Sequence, residues 1–513
     1  MNAVQTLERL KQHPLEGYER ALAHYQGTVK KLQGGDTMTM PHDELEKILA
    51  LEGQEAMRLL MQAHLDQRAA RQSTEPVVGA DGVPRAEVRE LPRNLETRFG
   101  TVVVNRVGLA APKVKSVVEM DAQLNLPARK YSHGLCEMVA RGAAGQPFSA
   151  VVESIGRHTG GKVPKRQAEQ LAQEAAVDFE AFYRDRQRSA LQEAAGDVLV
   201  ISLDSAGMPV IRKARRDPEV ETVPNQGLLT RRRPGQKPGH SRMAGVVAVY
   251  TAKRHVRSAE VVLGEEKAPW PDASMGPKNK MVRASVEQGM AYLTERVFED
   301  ALMRDRKGMD WVVVVDGNLH QIDEALKCAR RHNKKVTIIV DVWHVSGYLW
   351  EAAHGFHPTD EAARKSWVRD HLHALLTGSH PAHVAAGIRR SATLQKLPKS
   401  ARKAVDACCD YLLSKQDYLR YSEYLAKGFP IGSGLIEGTA RHLVKDRMDI
   451  AGAHWNLVTA EAVLRLRSLE HNGDFDEYWK YHVAQEAERN HGSGKPAPEP
   501  VLAQIIPMKN PRS

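Results

Sequence analysis

Three stretches of aliphatic and β-branched residues in this sequence run into an aspartate: 198–203 (VLVISL) into Asp204, 311–315 (WVVVV) into Asp316, and 336–340 (VTIIV) into Asp341. A carboxylate at the carboxyl end of a sheet strand lies where α/β folds place their ligands, fixed by a rigid scaffold. Taken singly, each aspartate is explained as well by an Asx turn closing a strand. Two or three at one edge of one sheet would repel one another unless a cation relieved them. Phosphoryl transfer uses such an arrangement: two Mg²⁺ ions about 4 Å apart activate the attacking oxygen and stabilise the leaving one, and hard cations prefer carboxylate oxygen. A third acidic ligand is expected late in the chain, on a helix. The stretch 428–447 (GFPIGSGLIEGTARHLVKDR) offers Glu437 after a Gly/Ser turn, with Arg441, His442, Lys445 and Arg447 behind it. In isolation Glu437 fits a helix N-terminus favoured by the macrodipole, and the basic run a solvated face.

The elements that must position these groups follow from periodicity. Residues 1–95 form a helical N-terminal region, with Leu45, Ile48, Leu49, Leu51, Met57, Leu60 and Met61 near a 3.6 period and a polar Gly/Pro stretch after residue 75. Residues 96–130 are β-rich, with a strand over 97–107 in which Gly100 marks a bulge. Residues 131–190 are helical again. FSAVVESIGRH, the Gly160-Gly161 pair and a second helix over 163–183 suit a helix-turn-helix, with Lys165 and Arg166 at the start of the second helix facing a major groove. An ordinary helical hairpin with a solvated basic end is the plainer reading.

From 195 to 345 the pattern is that of a mixed α/β sheet: strands at 198–203, 208–211, 243–251, 311–315 and 336–340, a further strand at 259–263, and helices at 281–304 and 319–332. A basic loop over 212–242, carrying Arg231, Arg232 and Arg233, interrupts it. Residues 346–427 read as a helical insertion, 428–482 as the Glu437 helix and completion of the core, and 483–513 as a disordered, Pro-rich tail.

Lys and Arg total 73 against 63 Asp and Glu, a net +10 that puts a polyanion, nucleic acid first, among the partners to consider. The N-terminus lacks the apolar core of a secretory signal, and no aliphatic run approaches the ~20 residues needed to cross a bilayer. Four cysteines (Cys136, Cys328, Cys408, Cys409) without C-x-x-C spacing indicate a reduced, intracellular setting.

Asp316-Gly317, then Asp341-x-x-His344, then PIGSGLIEG…HLVKDRM…GAHW…AVLRLRS resemble the ISKra-type insertion-sequence transposases, bacterial relatives of the Mutator group. The resemblance runs from about Phe99 to Trp479 and includes FGTVVVNRVGL and LNLPARKYS upstream. It implies a ribonuclease-H-like α/β core with a helical insertion, preceded by an α-rich N-terminal DNA-binding region. It also implies an Asp-Asp-Glu triad, two Mg²⁺ ions (Mn²⁺ substituting), and cutting and joining of double-stranded DNA at the element's terminal inverted repeats. On that pattern Asp204 is the first acid and Glu437 the third. The ribonuclease-H order places the second acid on the fourth strand beside the first, which selects Asp316 over Asp341. Asp341 and His344 then orient the site or contact DNA. Arg441, Lys445 and Arg447 are expected on the scissile strand's phosphates. Trp455 is either helix-packing core or a platform for a flipped or frayed terminal base. The chain departs from the family pattern at 318–322 (NLHQI) and in the length of the 212–242 loop. Holding two element ends calls for a homodimer or larger assembly, and the setting is cytoplasmic, at the bacterial nucleoid.

Three rivals are weaker. A tyrosine recombinase would draw on Tyr478 or Tyr481 and leaves the strand-terminal acids without a role. A domesticated, non-catalytic DNA-binding protein would keep the fold, but all three acids are present. A zinc site through His344, His354 and His357 has no cysteine nearby.

Overall fold

The computed structural model describes residues 3–79, 81–189, 196–211, 241–266, 277–305, 308–450 and 452–492. The chain divides into two compact units, one of Phe179–Phe475 and one of Met1–Asp178 with Asp476–Ser513.

The first of these is a mixed α/β unit built on five strands: β1 (Val198–Pro209), β2 (Ser241–Ala252), β3 (Lys278–Ser285), β4 (Asp310–Val315) and β5 (Val336–Val340). Their order is β3-β2-β1-β4-β5. β2 runs antiparallel to β1 and β3, whereas β4 is parallel to both β1 and β5. The inner strands carry uninterrupted aliphatic runs because parallel strands are covered on both faces; Val312, Val313, Val314 and Val315 are all fully buried. Helix α1 (Met290–Arg304) links β3 to β4, and α2 (Leu319–Arg331) links β4 to β5. A helical block follows: α3 (Val342–Phe356), α4 (Glu361–Leu376), α5 (Pro381–Leu394) and α6 (Lys399–Ser414). The chain then returns through α7 (Gly434–Ala440), a π-helical turn (Arg441–Lys445) and α8 (Leu457–Asn472).

Several expectations change here. Asp204-Ser205-Ala206-Gly207 reads as a turn, yet β1 continues unbroken to Pro209, because its antiparallel ladder with β2 extends through Gly207↔Met243. Residues 281–285 are strand, not the start of a helix. Their pattern is obscured by Arg283, buried in the sheet with its guanidinium 4.4 Å over the Tyr183 ring and paired with Glu180, and by Ser285, bonded to Glu461. The expected strand at 259–263 is a short helix, Ala259–Leu263, capped by Ser258. Most of the basic loop, including Arg231, Arg232 and Arg233, lies outside the described residues.

In the other unit, helices Ala3–Gln12, Glu16–Leu32, Gly35–Met38 and His42–Ala70 precede strands that begin at Val77, earlier than the expected boundary at 96. Residues 97–107 are not one strand. Arg93–Thr97 and Gly100–Val104 form an antiparallel hairpin, with Gly100 at φ +118°, a backbone only glycine adopts without strain. Leu95, Val102 and Val104 pack with Leu65, Met120 and Leu126 as its core. Phe148–His158 and Lys165–Ala175 are the two helices expected around Gly160-Gly161. That glycine pair sits against the hairpin turn: a Cβ would come within 2.7 Å of Phe99 O at Gly160 and 2.8 Å of Thr97 O at Gly161. The second helix stops at Ala175 rather than 183, and the final helix, Phe475–His491, reaches well into the stretch expected to be disordered.

Candidate active site

The parallel ladders end together. Leu203 pairs with Val315 and Val315 with Val340, so the next residues, Asp204, Asp316 and Asp341, fall side by side across three neighbouring strands. Such neighbours are about 5 Å apart. Asp341 N also donates to Val315 O at 2.9 Å, carrying the row one step beyond the sheet.

Glu437 arrives through Asp341. The buried Asp341 carboxylate caps α3 by accepting from Trp343 N (2.5 Å), and its other oxygen accepts from Ser433 N (2.6 Å) and Ser433 Oγ. Val342 N donates to Ile431 O at 3.0 Å. These bonds fix the 431–433 turn against the end of β5, and the turn launches α7, whose first turn carries Glu437. His344, one turn into α3, places Nδ1 3.6 Å from Glu437 Oε1 and 3.9 Å from Asp341 Oδ2. Among the described residues, Asp341, His344 and Glu437 are the one trio whose ligating atoms all lie within 4.8 Å of one another.

Asp316 is braced from two sides. Its Oδ1 accepts from Asn318 N at 2.8 Å and, with the amide in its satisfied orientation, from Gln321 Nε2 at 3.1 Å. From α6, Tyr411 stacks on Tyr348 (ring centroids 4.0 Å apart) and donates its hydroxyl to Asp316 O at 2.8 Å. Gly317 must be glycine there, because φ is +90° and a Cβ would meet the Tyr411 hydroxyl at 2.3 Å. Lys415, one helical turn beyond Tyr411, is buried; burial lowers its ammonium pKa and the Asp316 charge opposes that.

The charges respond to one another. Burial raises the Asp204 carboxyl above its ordinary range; the Ser205 amide and the His344 imidazole work against this, while Asp316 and Glu437 add repulsion. Burial would also raise Asp341, but the neighbouring His344 and the bonds from Ser433 and Trp343 outweigh it and hold the group below the usual range. His344 is raised chiefly by Asp341, against burial, with Asp316 and Glu437 contributing. Its Nδ1 is buried without a hydrogen-bond partner, facing two carboxylates. A cluster of carboxylates from three strand ends and α7, with Asp204 raised by its acidic neighbours, is a donor set suited to a hard divalent cation.

The other sequence-derived residues divide. Arg441 and Lys445 are exposed beyond Glu437, and in the N-terminal unit Lys165 and Arg166 are exposed at a helix start. Arg447 and Trp455 differ from their expected DNA-facing positions: they are 3% and 7% exposed. The Arg447 guanidinium lies 4.8 Å over the Trp455 ring, and Trp455 Nε1 donates to Met448 O at 2.9 Å. The Trp455 backbone extends the ladder at the end of β1, donating to Pro209 O and accepting from Ile211 N, which explains its burial. Tyr478 is fully buried, with its phenol bonded to Ala175 O at 2.6 Å, a poor nucleophile position. His344 groups with acids and not with His354 or His357. Sequence reasoning missed Ser433, Gln321, Tyr411 and Lys415; only Ser433, inside the GSG turn, carried a local signal.

No protein-family model matches the chain, and no curated protein matches it. Among solved structures it is similar to the Drosophila P element transposase strand transfer complex, with a TM-score of 0.23 and 11% identity over 73% of this chain and 85% of that one. No described helix is long and apolar enough to cross a membrane.

Proposed function

We propose that this chain is a metal-dependent DNA transposase of the Asp-Asp-Glu kind, cutting and joining DNA at the ends of a mobile element. The observation that carries this reading is the row formed by Asp204, Asp316 and Asp341, with Glu437 brought beside it by the Ser433 turn. The strand order β3-β2-β1-β4-β5 supports it, because it puts Asp316 on the strand next to Asp204, as a ribonuclease-H-like core requires.

Asp204, Asp316 and Glu437 would hold Mg²⁺, with Mn²⁺ as a substitute, and the ions supply Lewis-acid activation of water and of the leaving oxygen. Asp204 and Asp316 differ from Asp341 in what they already bond. Both oxygens of Asp341 are committed to Trp343 and Ser433, so it acts as the brace that aims α7. His344 faces Glu437 and steadies it. The exposed Arg441 and Lys445 are available to phosphates of the bound strand. Two copies holding two element ends complete the proposal.

The test is incubation of the purified chain with Mg²⁺ and a plasmid carrying the inverted repeats that flank its coding sequence. Specific nicking or cutting at the repeats, lost in Asp204→Asn and Glu437→Gln, is expected. Binding without cutting, or cutting that survives both substitutions, contradicts the reading; the first outcome would favour a non-catalytic DNA-binding protein.

A further inference from the structure

Beside the acid row, folding leaves a tryptophan in water. Trp343 stands between Asp341 and His344 and is 53% exposed, whereas Trp311 and Trp455 of the same unit are buried. It borders a cleft of about 370 Å³ that Arg257, Val262, Pro430, Gly432 and Gly434 also line, a size within the small-ligand range.

The walls are built to leave the indole uncovered. Val342 N to Ile431 O ties the two sides together at 3.0 Å. Gly432 lies close against the ring, where a Cβ would come within 3.0 Å of Trp343 Nε1 and 3.2 Å of Cδ1, so a larger residue would cover or displace it. Arg257 is anchored by Nη2 to Phe429 O at 2.9 Å, while its Nε is buried without a hydrogen-bond partner. An aromatic face, a guanidinium in the wall and a glycine-bared backbone together match a planar ring with an acceptor on its edge. The cleft reaches Gly434, the first residue of the helix that carries Glu437.

We propose that this cleft takes one nucleobase of the DNA strand at the acid site, stacked on Trp343 with an acceptor on its edge meeting Arg257. The proposal rests on the transposase reading for its substrate class, but not on catalysis. Stacking on an aromatic residue is sequence-tolerant, so the cleft would hold whichever base adjoins the reacting phosphate.

The test is equilibrium binding of a single-stranded oligothymidylate carrying one 2-aminopurine, in Ca²⁺ so that cleavage does not intervene. The wild-type chain is expected to quench the 2-aminopurine on binding. Trp343→Ala should weaken binding by about 10-fold and remove the quench, and Trp343→Phe should restore most of both. Gly432→Val, which fills the cleft and keeps the tryptophan, should behave like Trp343→Ala; thermal midpoints near wild type confirm that the variants are folded. No quench with wild type, or Trp343→Ala binding and quenching like wild type, overturns the proposal. Quenching that depends on Trp343 in a chain that cuts no DNA would leave the cleft standing and the transposase reading fallen. Specific cutting by a chain whose binding and quench are both indifferent to Trp343→Ala would do the reverse.

Discussion

Asp178 in the N-terminal unit and Asp204 in the sheet unit are both acids taken largely out of water, and the protein treats them in opposite ways. Asp178 accepts His482 Nδ1 at 2.7 Å and both arms of Arg489 at 2.6 and 2.8 Å. Burial pushes its carboxyl up, but His482 and Arg489 outweigh burial and hold it below the ordinary range. Asp204 accepts the Ser205 amide at 2.6 Å, and the charges acting on it are the repelling Asp316 and Glu437 with the His344 imidazole opposing them. One carboxylate is matched by the countercharge of Arg489 and His482; the other has two acids and a single imidazole about it. Under the proposed function, that difference separates an acid that holds a fold together from one kept for a cation.

The largest effect that would break the comparison is catalytic. Asp204→Asn is expected to lower cleavage by about 10³-fold or more in a plasmid assay, without lowering the metal-free thermal midpoint, because a repelling charge is removed. Asp316→Asn should match it. Asp341→Asn should retain measurable cleavage while losing about 1–3 kcal/mol of stability, since the amide keeps one acceptor oxygen where Trp343 and Ser433 use two. Residual cutting in Asp316→Asn with none in Asp341→Asn would reverse the two roles.

Asp178→Asn is expected to cost about 2 kcal/mol in denaturant unfolding and to leave cleavage per folded molecule unchanged. The pH dependence of the two acids should have opposite signs. Asp178, with a lowered pKa, contributes stability that is present above the ordinary carboxylate range and is lost as pH falls through its folded value. Asp204, with a raised pKa, makes the metal-free protein less stable as pH rises through that range. Thermal midpoints of wild type, Asp178→Asn and Asp204→Asn across acidic pH check both signs. The smallest effects concern the brace on Asp316: Gly317→Ala should cost about 1–3 kcal/mol, and Tyr411→Phe about 1 kcal/mol.

The parallel half of the sheet was legible because β4 and β5 are short, mostly aliphatic runs closed by an acid, and strand ends sharing a register bring such acids together. The antiparallel half was less so. β1 passes through an Asp-Ser-Ala-Gly sequence that resembles a turn, and β3 carries a buried Arg283 that Phe179, Glu180 and Tyr183, distant in sequence, make tolerable. Three strands precede β4 among the described residues of this unit, which makes it the fourth, but they are not the segments the sequence suggests: 198–203 and 208–211 belong to one strand, 259–263 is a short helix, and the strand Lys278–Ser285 overlaps a stretch that reads as helix. Tyr411 and Lys415 were invisible for a similar reason. They sit on a helix far along the chain, and nothing local says that this helix packs on the Asp316–Gly317 turn. Of the two readings open for Trp455 the structure agrees with core, but the burial comes from its backbone joining the end of β1, which nothing local in the sequence signals.

The most direct test of the central claim, that the acids beside β1 and β4 are held for a divalent cation, is the thermal midpoint of the metal-free chain titrated with Mg²⁺ or Mn²⁺. A ligand that binds only the folded state raises stability by about 2.7 kcal/mol at one hundred times its dissociation constant. The account predicts a saturable rise in the midpoint for wild type and Asp178→Asn, and little or none for Asp204→Asn or Glu437→Gln. An equal rise in all four proteins, or none in wild type, would contradict it.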